Sequence, residues 1–267
     1  MNMTADSSDY RLDLWLYNRR WWLRREPFPH LVAHNVFRPT TYEALEKTFH
    51  EILALGVSDN GEDRGRFSRN MKGYDAYGLR LLGDVQKPFS FFGSREWHDL
   101  IASLFDAQCT GDIEISLHHH PVGTVTGWLH NDLNPAWYVS RPGANGINFS
   151  DPEVCSYHYG TTKRTDVTPQ ERIRAIAILF YLANPPWRPG DGGETGIYKL
   201  KSQQAESPSF AMAPINNSMI AFECTPYSYH TFISNRRTTR NSLVMWLHRP
   251  KEDVIARWGE GSIEKWK

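Results

Sequence analysis

The sequence predicts a mainly β fold of the α+β class, and three observations point to it. From residue 112 onward the chain is a succession of β-prone runs separated by Pro- and Gly-containing turns, at residues 112–120, 172–182, 196–200, 218–222 and 240–247. Helical spacing of apolar residues occurs in two stretches, near residues 39–53 and 94–105. The length of 267 residues is enough to bury a sizeable core within one domain. A single domain over residues 1–267 is expected, with residues 1–110 as helical and strand support, 111–250 as the β core and 251–267 as a charged tail that reads as a short amphipathic helix.

Taken in order, residues 1–9 are polar and expected to be disordered. Residues 10–25 interleave Leu12, Leu14, Leu16, Trp21, Trp22 and Leu23 with five arginines. This pattern suits a lead-in that packs aromatics onto the domain while arginine stems cover apolar surface, with a dimer or partner patch as the alternative. Residues 26–35 read as the first strand. Pro39-Thr40-Thr41 opens a helix that lines up Leu45, Phe49, Ile52 and Leu53, residues 59–69 read as a polar loop, and Trp97, Leu100, Ile101 and Leu104 mark the second helix. The core begins with the strand at 112–120. Its His118, His119 and His120 look like a metal tract, but strand alternation puts only alternate members on one face, so they cannot all bind one ion.

Residues 133–170 hold Pro135, Pro142, Gly143, Gly146, Pro152 and Gly160 with little periodicity, and are expected to form a long loop. A loop of that length inside a compact domain is usually functional. Its Trp137, Tyr138, Arg141, Tyr157, His158, Tyr159, Lys163 and Arg164 suit a mobile lid over a polar substrate, and the cations suggest a carboxylate or phosphate on it. Residues 172–182 are apolar enough for a central strand. The glycines at 190, 192 and 193 are turn residues rather than a phosphate cradle, because a strand and no helix follows them. Residues 201–213 read as a polar connection.

The chemistry concentrates in two stretches. In Gly127-Trp128-Leu129-His130-Asn131-Asp132, an extended backbone would place His130 and Asp132 on one face and turn Asn131 away. About a hundred residues later His230 follows the Thr225-Pro226 turn and supplies a second imidazole. Two histidines and one carboxylate make the facial triad of non-haem Fe(II), which leaves coordination positions open. A His-x-Asp triplet alone is weak evidence; the ordered combination is specific. Ten residues beyond His230, Arg240 and Ser242 share a strand face on which a guanidinium fork and a hydroxyl can receive a carboxylate bidentately.

At these residues the sequence resembles the Fe(II)/2-oxoglutarate-dependent oxygenases, in their prolyl-hydroxylase-like branch. The resemblance rests on His130-Asn131-Asp132, Tyr181-Leu182-Ala183-Asn184, Gly192-Gly193-Glu194 before Gly196-Ile197-Tyr198, and the stretch from His230 to Trp246; residues 27–32 look like the family's N-terminal entry. It implies a double-stranded β-helix (jelly roll) with buttressing N-terminal helices and iron at one mouth. It also implies a dioxygenase using Fe(II), 2-oxoglutarate and O2, which releases succinate and CO2 as it hydroxylates an unactivated carbon. Tyr181 falls where resembling enzymes bind the distal 2-oxoglutarate carboxylate, and His120 where they carry a polar residue near it. His118 and Tyr198 are expected on the barrel wall, with Trp137 and Arg141 as substrate contacts.

Lys+Arg and Asp+Glu balance at 30 each, so nothing in the charge argues for a nucleic-acid or membrane surface. Cys109, Cys155 and Cys224 are too few for a disulfide framework, and no apolar run reaches the ~18 residues of a membrane span. A cytoplasmic monomer or homodimer acting on a small polar or anionic molecule, such as an amino acid, a nucleoside or nucleotide, or a sugar, is the expectation. A peptidyl or protein prolyl hydroxylase is the alternative, and would need an open groove. A halogenase would lack the Asp132 carboxylate, and a non-catalytic jelly-roll binding protein would need none of the four residues His130, Asp132, His230 and Arg240 together.

Overall fold

The computed structural model describes residues 11–60, 65–69, 75–85 and 87–266. The disorder expected of residues 1–9 and the middle of the 59–69 loop lie outside the described residues. The chain runs α1 (Leu12–Trp15), β1 (Trp22–Arg24), β2 (His30–His34), α2 (Pro39–Leu53), β3 (Val57–Ser58), β4 (Phe67–Ser68), β5 (Tyr77–Leu81) and α3 (Arg95–Leu104). It continues with β6 (Asp112–His120), β7 (Pro135–Tyr138), β8 (Asn148–Phe149), β9 (Gln170–Tyr181), β10 (Thr195–Ile197), β11 (Phe210–Met212), β12 (Ser218–Glu223), β13 (His230–Phe232), β14 (Arg240–Pro250) and α4 (Lys251–Trp258).

Among the described residues these strands form a large sheet in the order β1-β2-β12-β9-β14-β6-β5-β4-β3, with β7 on β9 and β8 on β6, and a small sheet β11-β10-β13. The middle of the large sheet is the long antiparallel trio β6, β14 and β9. Both faces of this trio are buried, as its near-continuous apolar runs require. One face carries Ile113, Ile115, Leu117, Ile176, Ile178, Phe180, Leu243, Met245 and Leu247, and packs against Leu45 and Phe49 of α2, Trp97 and Ile101 of α3, and Phe37, Phe91 and Phe92. Ser94 caps α3 by accepting from Trp97 N, so the helix starts where its apolar stripe begins. The opposite face carries Ala177, Leu179, Tyr181, Val244 and Trp246, and meets Ile197 and Met212 of the small sheet. The N-terminal helices therefore buttress one side, and the two sheets enclose the other.

Several segments differ from the sequence expectation. The first strand is shorter than residues 26–35, spanning His30–His34 after a cis Glu26-Pro27 bond. The 10–25 lead-in holds α1 and an exposed edge strand β1; Trp15 stacks on Phe91 and Trp21 meets Trp97 edge-on, while Leu14, Tyr17, Trp22 and Leu23 remain exposed. Residues 201–213 include β11. Residues 133–170 are not a free loop: β7 pairs with β9, β8 pairs with β6, and Tyr138 and Tyr157 are buried. Short strands tied to long central ones lack the length for a period-two signal, which is why the sequence reads as irregular there. No described helix is long and apolar enough to cross a membrane.

Candidate metal centre and cosubstrate pocket

His130, Asp132 and His230 come together with one donor atom from each lying within 4.8 Å of the others. The local backbone is not the strand that alternation predicts. His130 joins His230 through an isolated antiparallel bridge, with His130 N donating to His230 O at 3.1 Å and His230 N to His130 O at 2.8 Å. The chain then turns at Asp132, whose φ of +59° is left-handed. Asn131 does point away, and its Oδ1 accepts from Leu133 N at 3.0 Å, an Asx turn that holds the reversal. A turn and a bridge, rather than a pleat, aim His130 and Asp132 at one point.

The donor set fits a divalent transition metal. His130 Nδ1 sits 2.8 Å from Trp128 O and His230 Nδ1 sits 3.0 Å from Ser228 O, so each ring carries its proton on Nδ1 and turns the lone pair of Nε2 inward. Those Nε2 atoms lie 3.7 Å and 3.5 Å from the Asp132 carboxylate. Burial, with His230 alongside, holds the His130 imidazole down to about 4, so it is a neutral ligand at neutral pH. Burial alone would raise the Asp132 carboxyl, but Arg174 and the two imidazoles outweigh it and keep the group ionised.

Two residues that the sequence reading missed hold that carboxylate. Arg174 Nη1 donates to Oδ1 at 2.8 Å and Trp246 Nε1 donates to Oδ2 at 2.7 Å, while the guanidinium stacks on the Trp246 ring at 3.7 Å. Arg174 was hidden by an irregularity in the ladder. Leu247 pairs with Ile176 but His248 pairs with Arg174, leaving Ala175 as an extra residue in β9. Counting in twos from Tyr181 turns Arg174 to the wrong face; the bulge turns it back. For Trp246 a signal existed, since it lies an even number of residues from Arg240 and Ser242 on one strand.

The second predicted cluster is also assembled. Arg240, 2% exposed, donates from Nη1 to Ser242 Oγ at 2.8 Å and to His120 Nε2 at 3.2 Å, and from Nη2 to Thr195 Oγ1 at 3.3 Å. Tyr181 donates to the same Thr195 oxygen at 2.7 Å, and His120 stacks on Phe232 at 4.2 Å. Thr195 is a further member that carried no sequence signal, because it sits in a three-residue strand. The buried Arg240 Nε has no acceptor among the described residues, which fits a site built for a carboxylate. Gly193, at φ +83°, brings its backbone so near that an added Cβ would lie 3.3 Å from Arg240 Cβ.

The candidate substrate contacts divide. His118 lies on β6, buried, with Nε2 2.9 Å from Ser116 Oγ, and burial lowers it to about 3. Trp137 alternates with the buried Ala136 and Tyr138 and packs against Gly160, away from them. Arg141 is exposed, as are Lys163 and Arg164, and Arg164 pairs with Asp166, so these cations form a solvated rim. Tyr198 is buried and donates to Ala205 O; it flanks Gly196, on the face opposite Thr195 and Ile197. The charges near the centre are others. The buried Glu114 lies 3.7 Å from Arg174 Nη2 and 3.6 Å from Arg80 Nη2, beyond hydrogen-bond length in both cases.

Residues 153–248 match the model of the 2OG-Fe(II) oxygenase superfamily. No curated protein matches the chain in sequence. Among solved structures, a Pseudomonas putida prolyl-4-hydroxylase superposes with a TM-score of 0.53 at 14% identity, over 82% of this chain and 92% of that one. A Trichoplax adhaerens prolyl hydroxylase, solved in complex with a peptide fragment of the hypoxia inducible factor oxygen degradation domain, gives 0.50 at 15% identity, over 85% and 86%. At these identities the likeness concerns the fold, and it makes the two facing sheets the expected jelly roll. Sequence match, fold and the two residue clusters converge: residues 153–248 are similar to the 2OG-Fe(II) oxygenase superfamily, the chain has a prolyl-hydroxylase-like jelly-roll fold, and His130, Asp132 and His230 form a group that could hold a metal ion.

Proposed function

We propose that the protein hydroxylates a carbon of a small polar molecule, with His130, Asp132 and His230 as the metal ligands and Arg240, Ser242, Tyr181 and His120 around the distal carboxylate of 2-oxoglutarate. When bound, Fe(II) with 2-oxoglutarate and O2 supplies the oxidising chemistry by decarboxylating the cosubstrate to succinate and CO2. The chain's own part is positional. Arg174 and Trp246 fix the rotation of the Asp132 carboxylate, and the two Nδ1 bonds fix the imidazoles. Arg240 gives the cosubstrate a guanidinium fork, and the sheets exclude water.

The observation that carries the substrate reading is Glu114. Its carboxylate is buried between the Arg80 and Arg174 guanidinium groups, ion-paired at 3.6 and 3.7 Å but beyond hydrogen-bond length, an arrangement that leaves room for a ligand offering an N–H or O–H. The buried Tyr138 and Tyr157 of the 133–170 segment wall off this region, which suits a compact molecule better than a chain. A second reading, hydroxylation of a prolyl residue in a peptide, is favoured by what the two superposing structures are named for.

Succinate release under Fe(II), 2-oxoglutarate and air, measured across free amino acids, nucleosides, sugars and proline-containing peptides, separates the two. Stimulation by a small metabolite that is lost in Glu114→Gln supports the first; stimulation by peptides alone rejects it. Under nitrogen the wild type is expected to develop a weak visible charge-transfer band with Fe(II) and 2-oxoglutarate. Its persistence in His130→Ala would remove the ligand assignment.

A further inference from the structure

Residues 260–266 lie beyond the matched segment, yet Glu264 and Trp266 among them contact residues 131, 133, 134 and 135 of the loop that carries Asp132. After α4 the chain makes a single 3-10 turn, Glu260–Ser262, and runs back along residues 131–135. Glu264 N donates to Leu133 O at 3.0 Å, Asn134 Nδ2 donates to Glu264 O at 2.8 Å, and Asn131 Nδ2 reaches Glu264 Oε1 at 3.5 Å. Trp266 Nε1 donates to Pro135 O at 2.8 Å. Its indole lies 4.7 Å from the Arg174 guanidinium, the group that donates to Asp132, and 4.3 Å from the His158 ring. The same Glu264 oxygen that Asn131 approaches also binds Lys201 Nζ at 2.7 Å, and Lys201 stands over Tyr229, the neighbour of His230. Glu264 thus bridges the segments that bring two of the three ligands.

The loop needs such support. Asp132 is a non-glycine residue at φ +59°, a conformation that persists only where its surroundings over-determine it. Among the described residues no ladder covers residues 131–134: the single bridge at His130 precedes them and the β7–β9 ladder begins only at Pro135. We propose that residues 260–266 are a strap that sets the metal site, with Glu264 acting through the loop backbone and Trp266 through Arg174. Both are positioning residues. The proposal rests on the reading that His130, Asp132 and His230 bind the metal.

The test uses the full chain carrying Trp266→Ala, Trp266→Phe or Glu264→Ala, and two readouts. The first is the thermal midpoint of each protein in chelator; the second is the dissociation constant for Fe(II) under nitrogen, followed by tryptophan fluorescence. Removing a residue that orients a metal ligand typically weakens metal binding by 10- to 100-fold. A loss of roughly 10-fold is expected for Trp266→Ala and Glu264→Ala with the chelated midpoint close to that of the wild type, and a smaller loss for Trp266→Phe, which keeps the stack and loses only the Pro135 bond. Variants that bind Fe(II) as the wild type does would overturn the strap while leaving the metal site standing. A fall in the chelated midpoint that accounts for the lost affinity would overturn it as well, by making the segment merely structural. Failure of the wild type to bind Fe(II) would instead overturn the ligand assignment underneath.

Discussion

Arg240 illustrates how much of this site is decided one residue at a time. Its guanidinium is buried among Ser242, His120, Thr195 and the Tyr181 ring, and no carboxylate among the described residues is paired with it. A buried cation without a protein counter-charge is costly, and a cosubstrate carboxylate offsets that cost when bound. Arg240→Ala is therefore expected to weaken 2-oxoglutarate binding by about 3–5 kcal/mol while Fe(II) binding is retained, and Arg240→Lys to fall between, since it keeps the charge and loses the fork. Titrating 2-oxoglutarate into each variant under nitrogen checks this, and equal affinities would place the carboxylate elsewhere. The residue pattern was legible because Arg240, Ser242 and Trp246 share one face of a long regular strand. Arg174 was not, because its orientation depends on one extra residue in β9.

At the level of elements, the site is held by short connections whose backbone has little freedom. Gly192 lies in the turn between β9 and β10 at φ +78°, and an added Cβ would come within 1.9 Å of Ser234 O, a backbone atom that cannot swing aside. The neighbouring bonds from Gly193 N to Ile233 O and from Arg236 N to Asp191 O fasten this turn to the end of β13. Gly192→Ala is thus expected to destabilise the protein by at least about 1–3 kcal/mol, seen as a lower thermal midpoint. Gly83→Ala, whose Cβ would meet only the Phe149 ring at 3.5 Å, is expected to be nearly neutral. If the two variants melt alike, the turn is not a fixed point of the small sheet.

Over the whole molecule, burial of neutral histidines ties stability to pH. Burial lowers His118 and His248 from 6.5 to about 3 each. His248 sits under the hydroxyls of Tyr138 and Tyr157, and His118 beside Ser116. Both folded values lie below the unfolded value, so between about 6.5 and 3 the unfolded chain binds more protons than the folded one. Stability is full above about 6.5 and falls as the pH drops toward 3. The thermal midpoint of the chelated protein should be lower at about pH 5 than at about pH 7, and a flat profile across that range would mean these histidines are accessible to protons in the folded state.

The sequence by itself determined the class of fold, the helices at Pro39–Leu53 and Arg95–Leu104, the three long central strands, and the residues that the structure gathers into two clusters: His130, Asp132 and His230, and Arg240, Ser242, Tyr181 and His120. These were readable because long strands and helices repeat with a fixed period and because the ligand types are chemically distinctive in their order. Only the tertiary structure decided how they act. The Asp132 reversal, the Ala175 bulge that aims Arg174, the short strands inside residues 133–170 and the return of residues 260–266 onto the metal loop all come from contacts between distant segments. A left-handed residue or a bulge has no periodic signature in sequence; it is imposed by what the surrounding segments bond to. For the same reason Trp137 and Arg141 lie outside the buried cluster and Tyr198 on the face opposite Thr195, while Thr195 and Trp266, in runs that gave no signal, lie beside it.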